Sequence, residues 1–166
     1  MRARAFLGTK SIAYVEGASS TEDAVRKLRC SLDDRDAQQR NARKNGVPTA
    51  QEFADVIARL DSSIGKHHWL MLRALLAAPN RTLTATEIAA AAGYPSFSSA
   101  NAHLGKLARL IAEDLDYTPP TQSDGTQIWT MALATGPDLN VRDDDGLWRW
   151  TLRSEVAEAL RELNVG

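Results

Sequence analysis

The sequence predicts a mainly α fold with a small β-hairpin, an α+β class, and three observations carry that prediction. Residues 82–111, TLTATEIAAAAGYPSFSSANAHLGKLARLI, read as two helices broken by one sharp turn. Two later segments, QIWTMAL at 127–133 and LWRWTL at 147–152, alternate apolar and polar residues as half-buried strands do. A charged helical stretch lies within the first 45 residues. The parts assemble into a winged helix-turn-helix core over residues 47–166, with residues 1–46 as an N-terminal hairpin and charged-helix extension.

In chain order, RAFLGTKSIAYVE at 4–16 holds two β-prone pieces around Gly8-Thr9-Lys10 and reads as a hairpin. Ser20 or Thr21 then opens a charged helix that runs to about Lys44 and stops at Asn45-Gly46. Its narrow apolar face is Ala24, Val25, Leu28 and Leu32. The stretch after Leu32 is so polar that it reads either as a solvated helix end or as a linker. Thr49 to Leu60 forms the next helix, with Phe53, Val56, Ile57 and Leu60 inward. Residues 62–80 then give an apolar helix through Trp69, Leu70, Leu72, Leu75 and Leu76, closed by Pro79-Asn80.

Thr84 and Glu87 have capping-box spacing, Gly93 supplies the positive φ of a tight helix exit, and Pro95 blocks direct continuation. Ser96 caps a second helix whose apolar positions are Phe97, Ala100, Leu104, Leu107, Ala108, Ile111 and Leu115. Beyond the TPPTQSDG loop, Trp129, Met131 and Leu133 share one face of the first late strand. Trp148, Trp150 and Leu152 share one face of the second. RSEVAEALREL at 153–163 closes the fold as a helix with Val156, Ala159, Leu160 and Leu163 inward.

Composition narrows the function classes. The chain has 166 residues, 43% hydrophobic and 25% charged, as in an ordinary soluble domain. No apolar run reaches membrane-span length, and the basic N-terminus lacks the apolar core of a signal peptide. The single cysteine, Cys30, excludes an internal disulfide, and a cytoplasmic location is the expectation. Cys30 itself reads as a small hydrophobe beside Leu28 and Leu32. Charge is uneven: residues 1–45 carry ten Lys/Arg against six Asp/Glu, whereas residues 82–166 carry six against twelve. A strong DNA-binding footprint is normally basic, so this distribution argues against tight autonomous binding by the C-terminal half.

The candidate contact face lies on the second helix of the pair, opposite Leu104. It carries Ser98, Ser99, Ala102, Lys106 and Arg109, with His103 at one edge. Small residues at a helix start allow close approach to DNA, and Lys or Arg further along reaches phosphates or guanine edges. Arg35, Arg40, Arg43 and Lys44 would add charge from the extension. The competing explanation is a solvated helix face with serine caps. Asp138 and Asp143 to Asp145 read as a solvated loop without the pattern of a calcium site. His67-His68 are adjacent on a helix and point apart, so they read as a helix start beside the core and not as a chelate. The tryptophans at strand spacing read as core. No phosphate-binding glycine loop, His-Asn-His pattern, Gly-x-Ser-x-Gly elbow or clustered catalytic carboxylates are present. The expectation is therefore no catalysis, no metal and no cofactor.

From Leu72 to Leu163 the chain resembles a bacterial winged-helix-like module found beside or within restriction endonucleases, including those with an HNH nuclease domain. The segments that carry the resemblance are LTATEIAAAAGYPSFSSANAHLGKLARLIAEDL, YTPP, IWTMALATG and LWRWTLRSEVAEALREL. Within them stand the Gly-Tyr turn, Asn101 with Gly105-Lys106-Leu107, and the Trp-x-Leu-Arg-x-Glu helix entry. The resemblance implies nucleic-acid targeting in host–phage conflict. No nuclease motif stands beside it in this sequence, so cleavage is not carried over, and the first 60 residues lie outside it. Double-stranded DNA is the leading partner, contacted by a monomer or a homodimer. The alternative is a protein-binding module or phage-encoded inhibitor acting on a nuclease or CRISPR-type complex, motivated by the acidic C-terminal half.

Overall fold

A computed structural model describes residues 1–7, 9–121, 124–136 and 148–165. It shows a mainly helical α+β protein with six helices, one β-hairpin and one three-stranded antiparallel sheet among the described residues. The aspartate-rich stretch holding Asp138 and Asp143 to Asp145 lies outside the described residues.

The hairpin pairs β1 (Ala3–Leu7) with β2 (Lys10–Val15), and a register shift sits at Ala5/Phe6. Its inner face packs on α1 (Thr21–Asn41), which Ser20 opens by accepting from the Asp23 amide at 3.1 Å. The polar stretch after Leu32 is therefore helix to Asn41, not linker. The chain then turns through Asn45 and Gly46, both at positive φ, and Val47 N–H donates to the Lys44 carbonyl at 3.0 Å. Cys30 is a free, exposed side chain on α1.

The core is built by α2 (Ala50–Arg59), α3 (Lys66–Ala77), α4 (Ala85–Ala92), α5 (Phe97–Asp114) and α6 (Ser154–Glu162). Phe53 and Ile57 of α2, Met71, Leu72 and Leu75 of α3, Ile88 of α4, Leu104 and Ile111 of α5 and Leu160 of α6 are all fully buried. Reciprocal capping boxes begin α2 and α4, formed by Thr49 with Glu52 and Thr84 with Glu87. Gly93 ends α4 at φ 73°, as a left-handed exit requires.

β3 (Thr82–Thr84), β4 (Ala134–Thr135) and β5 (Arg149–Leu152) form the sheet in the order β3-β5-β4. Leu83 pairs with Trp150 and Ala134 with Leu152. The first late strand is much shorter than its alternation implies. Trp129–Ala132 is a 3-10 turn, and only Ala134–Thr135 is strand. Packing overrides the alternation: Thr130 and Ala132 are both buried, and this turn lies along α5, with Gly105 opposite Thr130. Phe97 also departs from expectation. It is 56% exposed at the leading end of α5, where Ser96 holds the backbone before the helix meets the core.

Candidate nucleic-acid interface

The outward face of α5 is set by the residues that turn its other side inward. Ala100, Leu104, Leu107, Ala108 and Ile111 are buried, which leaves Ser98, Ala102, Lys106 and Arg109 exposed along the opposite side. The sheet fixes the helix laterally: the Trp150 indole N–H donates to the Asn101 Oδ1 at 3.1 Å. Ser96 caps the helix by accepting from the Ser99 amide at 3.3 Å, and the two serine hydroxyls meet at 3.1 Å. Ser99 thus serves the cap, half-buried, and Ser98 is the serine that stands free at the surface.

The two cations of this face differ. Lys106 is exposed and forms no ion pair among the described residues. Arg109 donates from Nε to Glu113 at 2.7 Å and lies 5.2 Å from the Trp129 ring centre. Its charge is partly answered within one turn of helix, a pairing readable from the i,i+4 spacing.

The N-terminal cations do not join this face. Arg43 is only 11% exposed; it donates to Glu52 at 2.8 Å and 2.9 Å and to the Leu115 carbonyl at 2.7 Å. Leu115 caps the C-terminus of α5, so Arg43 grips the end of the helix opposite Ser98, roughly 25 Å away by helical rise. Arg35 pairs with Asp55, and Arg59 with Asp114, in the same charged cleft. Arg40 lines this cleft, and Arg40 and Lys44 are exposed without an ion pair among the described residues. The structure therefore brings Ser98, Ala102, Lys106 and Arg109 together on one face and sets Arg40, Arg43 and Lys44 apart from it.

Sequence reasoning missed a cluster beside this face. His67 at the start of α3 and His103 of α5 meet Tyr94 in the α4–α5 turn, and His68 lies 6.0 Å from His103. Tyr94 stacks on His103 with ring centres 4.7 Å apart, and His67 lies 5.3 Å from Tyr94. The available signal was the third residue of α3: a histidine there can accept the amide that a capping box leaves for glutamate. Among the described residues no group of three or more His, Cys, Asp or Glu has the geometry to hold a metal ion, and no helix is long and apolar enough to cross a membrane.

No protein-family model matches the chain, and no curated protein or solved structure is detectably similar to it.

Proposed function

We propose that residues 47–166 form a winged helix-turn-helix unit that binds double-stranded DNA without catalysis, with α5 as the helix that enters the major groove. The observation that carries this reading is the order of parts. Helix α3, strand β3, helices α4 and α5 across the Gly93 turn, then β4 and β5 in a β3-β5-β4 sheet follow the plan of a winged helix. Ser98 and Ala102 keep the leading half of α5 slim, and Lys106, without an ion pair among the described residues, offers its charge to phosphate or a guanine edge. The motifs shared with restriction-associated modules support a role in restriction or phage defence.

Anisotropy titrations with a labelled duplex test the reading. Binding should weaken steeply between about 50 and 200 mM salt, and Lys106→Ala should reduce the magnitude of the log–log salt slope by about one. No binding at about 50 mM salt would remove DNA as the partner.

A second reading is favoured by two observations. Arg109, the other cation of the face, is held by Glu113, and residues 82–166 carry twice as many acidic as basic side chains. Such a surface suits a basic protein partner, such as a nuclease or CRISPR-type complex that it would occupy in place of nucleic acid. Inhibition of a purified complex of that kind, at salt where the chain itself ignores duplex DNA, would favour this second reading.

A further inference from the structure

All three histidines of the chain meet at one joint, and one of them performs a task that depends on its being neutral. The Gly65 amide at the start of α3 donates to the His68 Nδ1 at 3.3 Å. An amide nitrogen only donates here, so Nδ1 must be unprotonated, and the ring proton of neutral His68 sits on Nε2. That Nε2 is buried, and among the described residues no partner meets it at full hydrogen-bond geometry. His67 is built the other way. Its Nδ1 lies 2.7 Å from the Ala92 carbonyl, a pure acceptor at the end of α4, so Nδ1 carries the proton. The His67 bond survives protonation of its ring; the His68 bond does not.

We propose that the His67–His68–His103 cluster is an acid-sensitive clasp. Protonation of His68 breaks the α3 cap, sets like charge between α3 and α5, and loosens the seating of the α4–α5 corner. The groups facing His68 are His103 from α5, with ring centres 6.0 Å apart, and His67 from its own helix. Lys66 lies two residues back on α3, and Lys106 one turn beyond His103 on α5. No carboxylate forms an ion pair with any of the three rings among the described residues, so an imidazolium at His68 would have no counter-ion among them, only the His103 backbone in its favour. His68, whose bond to the Gly65 amide needs a bare Nδ1, is the sensitive member.

Burial, reinforced by the His103 and His67 rings, holds the His68 imidazole below the ordinary histidine value of 6.5, while the His103 backbone acts in the opposite sense. A histidine depressed in the folded state stabilises the fold fully above its unfolded value. That contribution is lost as pH falls from there through the folded value. Between pH 7 and 5 histidines are the side chains whose ordinary values lie in range, so the effect is separable from acid titration of carboxylates.

The inference does not depend on what α5 contacts, and two measurements on the full chain test it. Histidine ring signals followed by NMR from pH 8 to 5 should show His68 titrating below 6.5. Denaturant unfolding should show the folded-to-unfolded ratio dropping below pH 6.5, by up to about tenfold per pH unit for one proton. His68→Gln keeps a neutral acceptor for Gly65 and should remove most of that slope, with stability at pH 7.5 changed only a few-fold. A His68→Gln chain with the wild-type slope, or a His68 ring titrating at or above 6.5, overturns the clasp. Should His68→Gln fail to fold at neutral pH, the wild-type ring titration decides alone.

Discussion

Single side chains divide α5 into two faces with opposite tolerance. Leu107 is 2% exposed, and cutting it to Ala should lower stability by about 2–5 kcal/mol in denaturant unfolding. Lys106→Ala, one residue away and exposed, should change it by no more than about 0.5 kcal/mol. Arg43 is the side chain whose role its neighbours in sequence least reveal. It stands in a polar run with Arg40 and Lys44, yet it is the one buried against Glu52. Removing it strands a carboxylate that is 6% exposed, and Arg43→Ala should destabilise by about 3–5 kcal/mol. Glu52 keeps its bonds to Thr49, which places the expected loss toward the lower end. The burial of Leu104 and Leu107 was legible because helical spacing repeats over several turns of α5. The pairing of Arg43 was not, because a basic side chain chooses its carboxylate through tertiary approach.

Among the elements, those with local chemistry were readable and those made by packing were not. The Thr84–Glu87 box follows from four residues alone, and it appears with both reciprocal bonds, at 2.7 Å and 3.1 Å. The backbone amide and side chain of Thr84 hold the Glu87 carboxyl below its ordinary value of 4.5. This carboxylate therefore contributes stability above that value and loses the contribution as pH falls through the folded one. Thr84→Ala should cost about 1 kcal/mol at pH 7 and less in acid, which paired melts at pH 7 and pH 3 would reveal. The 3-10 turn at Trp129–Ala132 was hidden, since alternation describes equally a strand and a short turn pressed against a helix. Gly105 marks the contact: a methyl there would sit 3.5 Å from the Thr130 hydroxyl, an ordinary distance. Gly105→Ala should consequently raise the thermal midpoint, through a gain of up to about 1 kcal/mol in helix propensity.

Across the whole molecule, the N-terminal hairpin and α1 are tied into the rest of the fold by charge more than by apolar packing. Lys10 donates to Glu162 of α6 at 2.9 Å, Arg35 pairs with Asp55 and Arg43 with Glu52. The exposed Lys10 link should weaken with added salt while the buried Arg43 link persists. This placement explains why the basic excess of the first 45 residues does not extend the α5 face: part of it is spent on internal partners. A different consequence follows from Gly136 and Trp148. A Cβ on Gly136 would stand 2.7 Å from the Trp148 ring, so the residues flanking 137–147 touch. Only glycine fits at 136 without moving that indole, so Gly136→Ala should lower the thermal midpoint.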